Sequence, residues 1–394
     1  MRPEKEFFYK YLAQTSTAPL ALEIDRAEGS YIFDVYGKKY VDFISGISVS
    51  NVGHCHVKVV EAIKNQVEKY MHLMVYGEYV ESPQVQFAKM LCDFLPDNLN
   101  AVYFVNSGAE AIEGAIKLAK KYTGRSEIIA FKNAYHGSTS GALSIMGNEK
   151  LKQAFRPLLP GINFLNFNNI EDLCKISKKT ACVIVEVIQA EAGVVLPQAG
   201  YLKALEKSCK ENGVLLVVDE IQTGMGRTGS MFGFENYDIL PDIITLAKAL
   251  GGGMPLGAFI ASKEIMTTLC SPPLSHITTF GGHPVCCAAG LAALNVIINE
   301  NLLDEVVAKG EIIKNLLSFD NYEVHGRGLL LALDLKSPEL NFKVIEKCIQ
   351  KGLITDWFLF ADSMLRISPP LNISDDDIVF ACEVIKEVIK VIVN

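Results

Sequence analysis

Residues Val214–Leu256 read VLLVVDEIQTGMGRTGSMFGFENYDILPDIITLAKALGGGMPL and contain two short apolar runs, Val214–Val218 and Ile243–Leu246. A reactive side chain follows each run: Asp219 comes directly after the first, and Lys248 lies just past the second. Apolar runs of this length, bounded by polar and Gly-rich residues, predict buried parallel strands. In an open α/β sheet, the groups just beyond the carboxyl ends of the strands line the ligand crevice. The stretch therefore predicts an acid and an amine side by side in a ligand site.

This acid and amine indicate a particular cofactor. Pyridoxal phosphate requires a Lys that binds its aldehyde covalently and a carboxylate that pairs with its pyridinium nitrogen. Asp219 is a strong candidate because a carboxylate that ends an all-apolar strand needs a charged partner. Lys248 lies between a strand and the glycines Gly251–Gly253, where a desolvated, nucleophilic Lys is more expected than a surface one. Gln222 could donate a hydrogen bond to a phenolate oxygen on the cofactor ring.

The composition narrows the class of protein. With 49% hydrophobic and 21% charged residues, the chain has the composition of a soluble globular protein. Its net charge of −8 and the absence of any Lys/Arg block disfavour a nucleic-acid surface. No apolar run reaches membrane-spanning length, and the N-terminus lacks a signal-peptide core. Ten cysteines without a CxxC pair favour reduced thiols in a cytoplasmic protein. His54-Cys55-His56 matches no common zinc spacing, so we expect no metal site.

A strand–helix alternation from about residue 102 to residue 262 predicts an α/β domain with a mostly parallel sheet covered on both faces. The predicted strands are Val102–Val105, Ile128–Phe131, Cys182–Val187, Val214–Val218, Ile243–Leu246 and Ala258–Ala261. Predicted helices at Ala111–Lys121 and Tyr201–Glu211 lie between some of them.

The flanking segments predict a second, smaller α+β domain. An entry helix and a hairpin around Gly37 begin the chain, and a long helical stretch from Cys286 to about Leu317 follows the α/β part. Short strands near Gly328–Leu335 and two further helices, Phe342–Lys351 and Asp376–Val393, complete the prediction. We therefore predict an N-terminal segment at 1–45 that contributes to the small domain, a large cofactor-binding domain at 46–285, and a small domain at 286–394.

Asn106–Glu110, with the sequence NSGAE, joins a predicted strand to a predicted helix. Ser107 and Glu110 fit a capping box, so a well-capped helix explains the motif as well as a binding site does. The binding alternative uses the same geometry, because free N–H groups and the dipole at a helix N-terminus attract phosphate. Gly108 would let the phosphate approach closely.

Other polar or aromatic residues occur near strand ends. Tyr135 could stack on a planar ring, or could simply be a packed loop residue. Glu186 could meet a substrate ammonium or hold an Arg, whereas Glu191 is expected to be a solvated loop carboxylate. The TTFGG segment, Thr278–Gly282, offers donors for a second phosphate contact. Arg366, between apolar residues, is the best candidate for bidentate binding of a carboxylate.

Taken together, these motifs make the chain resemble the class III (ω-amino) aminotransferases of fold type I, in particular the acetylornithine/ornithine aminotransferase group. The resemblance covers nearly everything from Ile32 to Pro370. The motifs that carry it occur together and in order: NSGAEA, YHG, VVDEIQTGMGRTG, LAKALGGGMPLGA and TTFGGHP.

The resemblance implies a role for each matching residue, within a homodimer that shares its active sites. Lys248 would bind the cofactor covalently, Asp219 would hold the pyridine nitrogen, and Gln222 would contact the ring hydroxyl. Ser107, Gly108 and Ala109 would bind the phosphate, Thr279 would reach it from the other subunit, and Tyr135 would stack on the ring. Glu186 and Arg366 would form a switch that admits both an ω-amine and the α-carboxylate of glutamate.

The sequence departs from the family pattern at substrate-contacting positions. The family's Arg after the aromatic-His-Gly element is Ser138 here, the usual EP-x-QGEGG reads EVIQAEAGV, and the usual GGNP reads GGHP. Without that Arg, we expect a donor that has no distal carboxylate or that binds its carboxylate elsewhere. The acceptor is expected to be 2-oxoglutarate rather than pyruvate. Two alternatives stay open: a decarboxylase, racemase or aminomutase on the same scaffold, and a binding protein with a vestigial site.

Overall fold

The computed structural model describes residues 2–393. Met1 and Asn394, at the outer ends of the first and last predicted domains, lie outside the described residues. The strands are β1 Ile24–Glu28, β2 Tyr31–Asp34, β3 Lys39–Asp42, β4 Ala101–Val105, β5 Glu127–Phe131, β6 Ile162–Leu165, β7 Thr180–Glu186, β8 Leu215–Asp219, β9 Ile243–Leu246, β10 Gly257–Ala261, β11 Glu323–Arg327, β12 Leu330–Asp334, β13 Leu353–Ile354, β14 Asp356–Phe358 and β15 Ala361–Ile367. The α-helices are α1 Pro3–Tyr11, α2 Ser45–Ser48, α3 Val57–Lys69, α4 Ser82–Asp93, α5 Gly108–Thr123, α6 Ser140–Ser144, α7 Glu149–Lys152, α8 Tyr201–Asn212, α9 Lys263–Thr267, α10 Pro284–Asn299, α11 Leu303–Leu317, α12 Pro338–Gln350 and α13 Asp375–Val393.

The central sheet has seven strands in the order β4-β10-β9-β8-β7-β5-β6. Strands β9, β8, β7, β5 and β6 run parallel, whereas β10 is antiparallel to both of its neighbours. Every residue of β7, β8, β9 and β10 is buried. Burial on both faces explains why these strands are continuous apolar runs in the sequence. The predicted α/β fold with a mostly parallel sheet is confirmed.

One strand of this sheet was not predicted. Strand β6 pairs with β5 alone at the sheet edge. Its sequence is INFL, and Asn163 is exposed while Leu165 is buried. An edge strand that is covered on fewer sides does not need a continuous apolar run, so its sequence resembles that of a loop.

The predicted hairpin consists of β2 and β3, and two further strands extend it. Strand β1 pairs with β2, and β13 from the C-terminal part pairs parallel to β3, with Val41 opposite Leu353. Strands β11, β12, β15 and β14 form a separate antiparallel sheet. The domain boundaries at residues 45 and 285 stay a prediction, and the β3–β13 pairing is what joins the N-terminal segment to the C-terminal part.

The predicted long helical stretch from Cys286 is two helices, α10 and α11, with an angle of 76° between them. Asn301, between the helices, has a φ of +52°, a left-handed conformation that Asn tolerates better than most residues. Within residues 2–393, no single helix is long and apolar enough to cross a membrane, and only this bent pair passes that test of length and composition when taken together.

Arg227 connects three distant parts of the chain and is fully buried. Its guanidinium donates hydrogen bonds to the carbonyl oxygens of Leu329 and Pro369, and to side-chain oxygens of Ser45 and Asn51. Burial lowers the pKa of Arg227 to about 9. The loop after β8 is therefore fixed to both the N-terminal and the C-terminal segments by one side chain.

We expect Arg227→Met to destabilise the protein by about 3 kcal/mol. The substitution leaves four buried acceptors without their donor, at about 1–3 kcal/mol each, and the relief of a buried charge offsets part of that cost. Urea unfolding of the variant measures the difference. Arg156→Met is the matched control, because Arg156 is exposed and paired with Glu149, so we expect a change of about 0.5 kcal/mol or less. Equal stability of the two variants would contradict the connecting role of Arg227.

Candidate active site

A cavity of about 510 Å³ opens at the carboxyl ends of β7, β8 and β9. Polar groups can gather there because the strand interiors are buried and apolar, while the loops that follow them reach solvent. The predicted site residues that line the cavity are Ser107, Gly108, Ala109, Tyr135, Ser138, Glu186, Asp219, Gln222 and Lys248. Sequence positions spread over more than a third of the chain are thus brought to one crevice.

Lys248 follows β9 and is half-buried. Its backbone is left-handed, with a φ of +48°, which is unusual for a residue with a side chain. Its Nζ donates a hydrogen bond to Oε1 of Gln222 at 2.8 Å. Burial lowers the pKa of the Lys248 ammonium, and the nearby Arg366 lowers it further, against the opposing effect of Glu191. The neutral, nucleophilic form of the amine is therefore more accessible than in a surface Lys.

Asp219 ends β8 and makes a buried hydrogen bond with His136, 2.7 Å between Oδ2 and Nδ1. The other carboxylate oxygen accepts from the backbone N–H of Ile221 at 3.0 Å. Burial alone would lower the pKa of His136, but the hydrogen bond and charge of Asp219 outweigh burial and raise it. The expected charged partner of Asp219 is therefore His136.

His136 was not among the predicted site residues, although it lies in the Tyr135-His136-Gly137 motif. A signal was available in the sequence: a buried carboxylate at a strand end requires a partner, and a His follows β5, another parallel strand of the same sheet. The Nε2 atom of His136 is buried and has no partner in the part of the chain that the structure describes.

The N-terminus of α5 forms one wall of the cavity. Ser107 is the N-cap and its Oγ accepts from the N–H of Glu110 at 3.2 Å. The predicted capping box is only half formed, because the Glu110 carboxylate accepts from the N–H of Asn106 instead. The first N–H groups of a helix have no partners within it, and with the helix dipole they can bind a phosphate.

Glycines allow the backbone to pack closely around this helix end. A Cβ on Gly108 would lie 2.9 Å from Cδ1 of Ile221, and one on Gly137 would lie 2.7 Å from Cβ of Ala109. Gly257, on β10, faces the carbonyl oxygen of Ser107, which a Cβ there would approach to 2.4 Å. The sequence thus builds a narrow backbone cradle beside Lys248, and this geometry fits a phosphate-bearing cofactor.

Arg366 lies on β15, and the predicted pair with Glu186 is not formed. Its Nη2 donates to both carboxylate oxygens of Glu191, at 2.9 and 2.8 Å. Glu191 is only 5% exposed, so the expectation of a solvated loop carboxylate is wrong. The reason is the antiparallel bridge between Gln189 and Val195, which turns the loop back so that Glu191 points inward. The Nε and Nη1 atoms of Arg366 are buried without partners among the described residues.

Glu186 remains in the cavity wall at the end of β7. Its carboxylate accepts hydrogen bonds from the N–H groups of Tyr135, at 3.1 Å, and Ala190, at 3.3 Å. Burial raises the pKa of Glu186 to about 7. A carboxyl group with a pKa near neutrality in a ligand cavity is a feature of functional sites.

Two predicted residues lie at the edges of the site. Ser138 is exposed, and its Oγ is 3.3 Å from the hydroxyl of Tyr135. Thr279 is exposed and does not line the cavity. Its neighbour Thr278 accepts a hydrogen bond from Nδ2 of Asn106 at 2.9 Å, so the segment lies beside the helix end.

Comparison with known proteins shows similarity over nearly the whole chain. The family model "Aminotransferase class-III" matches residues 11–389. The acetylornithine aminotransferase of Methanopyrus kandleri is 40% identical over 379 residues, which are 95% of each chain. The acetylornithine aminotransferase of Methanocaldococcus jannaschii is 41% identical over 374 residues, 91% of each chain.

Solved structures of similar proteins share the fold. The ornithine aminotransferase of Toxoplasma gondii ME49 superposes with a TM-score of 0.91 at 29% identity, covering 100% of this chain and 96% of that one. A transaminase from the marine bacterium Virgibacillus gives a TM-score of 0.93 at 27% identity, covering 99% of each chain. With a match of this length, the chain belongs to the class-III aminotransferase family and is an aminotransferase that uses pyridoxal 5′-phosphate.

Proposed function

We propose that this enzyme moves an amino group from an ω-amino acid or diamine donor to an α-keto acid, in two half-reactions of a ping-pong cycle. The observation that carries the proposal is the convergence of Lys248, Gln222 and Asp219 in one cavity at the ends of two neighbouring strands. A desolvated amine, a ring-oxygen partner and a buried acid are the groups that this chemistry requires.

Each part of the cavity fits one part of the cofactor. The helix end at Ser107, Gly108 and Ala109 would hold the phosphate, and Asp219 would pair with the pyridine nitrogen. Gln222 has an Nε2 without a partner among the described residues, which can donate to the ring hydroxyl. When bound, pyridoxal phosphate supplies an aldehyde for the donor amine and a protonated ring that accepts electron density.

Two residues of the chain control protons. Lys248 would hold the cofactor, and its amine would remove and return the substrate proton as a general acid–base, a task that its lowered pKa suits near neutral pH. Asp219 would keep the ring nitrogen protonated, and His136 orients Asp219 through their 2.7 Å hydrogen bond. Tyr135 would cover the ring and exclude water from this side.

Arg366 would bind the α-carboxylate of the acceptor, for which 2-oxoglutarate is the candidate. Its buried Nε and Nη1 lack partners among the described residues, and a carboxylate bound through Nη2 and one of these two atoms would satisfy that atom. While no carboxylate is bound, Glu191 neutralises the guanidinium. The switch that the family resemblance implies is therefore proposed for Glu191 and Arg366, rather than for Glu186.

The choice of amine donor depends on two other residues of the cavity wall, Ser138 and Glu186. Similarity to acetylornithine aminotransferases favours a donor with a carboxylate distant from the reacting amine, but Ser138 occupies the position of the family's Arg for that carboxylate. Glu186, in the same cavity, instead offers negative charge to a distal ammonium. We therefore propose diamines over carboxylate-bearing donors.

We also propose a cytoplasmic homodimer in which Thr279 reaches the phosphate in the partner's site. Exposed apolar side chains near Thr279 support this assembly, since a second copy would cover them. Those side chains are Ile277, which is 49% exposed, and Phe280, which is 54% exposed. The cysteines in the described residues are all free, including exposed ones such as Cys55 and Cys174, as expected where thiols stay reduced.

We expect Lys248→Ala to lower the rate of glutamate formation from donor and 2-oxoglutarate by about 10³-fold or more, because the covalent attachment and the general base are both lost. Borohydride reduction should fix the cofactor to wild-type Lys248 and to no residue of the variant, as read by peptide mass. Lys207→Ala, on an exposed part of α8, is the control. Full activity of a folded Lys248→Ala protein would refute the assignment, and conversion of the donor that needs no keto acid and leaves the amino group on the product would favour a decarboxylase, racemase or aminomutase.

A single-turnover panel tests donor choice. We expect putrescine to convert the cofactor faster than acetylornithine, ornithine, 4-aminobutyrate or lysine. Ser138→Arg should raise kcat/KM for donors with a distal carboxylate by about tenfold, because Arg binds carboxylates bidentately. Ser138→Gln adds comparable bulk without charge and should not. A wild-type preference for carboxylate-bearing donors would contradict our proposal.

The pKa of Glu186 predicts a pH-dependent stability. Burial raises it from 4.5 to about 7, so the stability that Glu186 contributes is fully present below pH 4.5 and is lost as the pH rises through 7. Between pH 4.5 and 8 the stability of Glu186→Gln relative to wild type should therefore rise by about 3 kcal/mol. Urea unfolding across this range measures the change, with exposed Glu61→Gln as the control. If the difference in unfolding free energy between Glu186→Gln and the wild type did not change with pH, the raised pKa of Glu186 would be contradicted.

A further inference from the structure

The turn between β14 and β15, Leu359-Phe360, is attached to Glu191. The N–H of Leu359 donates to Oε2 of Glu191 at 3.1 Å, and the N–H of Phe360 donates to the carbonyl oxygen of the same residue at 3.0 Å. The β14–β15 pairing is irregular here, with a register shift between Trp357 and Phe358. Since the strand ladder is irregular next to the turn, Glu191 has a large part in deciding where the turn lies.

The turn places an aromatic ring next to the cavity wall. The ring centroid of Phe360 is 6.3 Å from that of Tyr135, with the planes tilted by 52°. Tyr135 lines the cavity, and its hydroxyl lies 3.3 Å from Oγ of Ser138. Phe360 therefore backs the wall on which the chain of an amine donor would lie.

We propose that Phe360 is a specificity-determining residue for the amine donor, and that Glu191 positions it only while Arg366 carries no substrate carboxylate. This inference rests on the proposed function and deepens it. It adds a second role to Glu191, which would connect the guanidinium that binds the acceptor to the aromatic wall that contacts the donor.

The connection follows from the shape of the guanidinium. A carboxylate can bind Arg bidentately through Nε and Nη2 or through Nη1 and Nη2, and both arrangements use Nη2. In this structure Nη2 of Arg366 is bonded to both oxygens of Glu191 and to the carbonyl oxygen of Trp357, the last at 3.1 Å. An acceptor carboxylate that binds bidentately would therefore compete with Glu191 for Nη2, and a displaced Glu191 carboxylate would lose the N–H of Leu359.

The aromatic wall of the cavity is therefore held differently in the two half-reactions. With a diamine donor, Glu191 stays on Arg366, the turn is fixed, and Phe360 packs against Tyr135. With a keto acid, Glu191 moves away and the turn loses one of its two bonds to that residue. Removing the Phe360 ring should therefore harm the donor half-reaction more than the acceptor half-reaction.

Single-turnover kinetics of the holoenzyme test this separation. For Phe360→Ala we expect kcat/KM with putrescine to fall about tenfold, and kcat/KM with 2-oxoglutarate in the reverse half to change by about twofold or less. Phe360→Tyr should restore the donor rate. Phe155→Ala is the matched control, because this Phe is 65% exposed and does not line the cavity, and it should change neither half. Equal losses in both halves, or no loss in either, would overturn the proposal.

Trp357 provides a second measurement that needs no turnover. It is the single Trp of the sequence, and its carbonyl oxygen is bonded to Arg366. We expect the unreactive dicarboxylate glutarate to change Trp357 emission in the wild type, and to change it less in Glu191→Gln, in which the turn is already loosened. No change in the wild type, or equal changes in both proteins, would overturn the coupling. If every diamine fails as a donor while glutarate still changes the emission, the proposed donor class fails and the coupling stands.

Discussion

The burial of the parallel strands on both faces is the constraint on which the rest of the structure depends. Strands β7, β8 and β9 have no exposed residue along their lengths, so apolar side chains dominate their interiors and their charged residues occur at the ends or just beyond them. Parallel strands share one carboxyl edge, and side chains that follow different strands therefore meet there. Glu186, Asp219 and Lys248 lie in one cavity for this reason, although α8 separates the first two in sequence and a long loop and β9 separate the last two.

Charges at that edge are stabilised in pairs. Asp219, at the sheet edge, has His136, and Arg366, on β15 of the antiparallel sheet, has Glu191. All four side chains are buried, and since an unpaired buried charge is costly, each partner offsets part of the cost of burying the other. Glu186 is the exception: it has only two backbone N–H groups, and its pKa rises to about 7. Lys248, bonded to a neutral Gln222, has its pKa lowered. The cavity thus contains paired, fixed charges together with two groups that titrate more easily, which suits a site that moves protons.

Much of the fold could be predicted because local patterns encode it. Continuous apolar runs identified the buried strands, and helical spacing identified α5, α8 and α13. The prediction failed where those patterns weaken, at the edge strand β6 and at the break between α10 and α11, where Asn301 takes a left-handed conformation. Among the site residues, the ones that directly follow strands were predicted. The role of Glu191 was misjudged because its loop, closed by the Gln189–Val195 bridge, turns a polar side chain inward.

By itself, the sequence determined the parallel sheet, its reactive edge, and the acid–amine pair that indicates the cofactor. The sheet depends on the spacing of apolar residues along the chain, and the reactive edge and the acid–amine pair depend on which residue follows each strand. Both are local properties of the sequence. Only the tertiary structure decided which charges meet. Asp219 and His136 are 83 positions apart, and Arg366 and Glu191 are 175 positions apart. No local pattern selects one partner over another at such separations, because the pairing is fixed by how loops from different strands and sheets pack over one cavity.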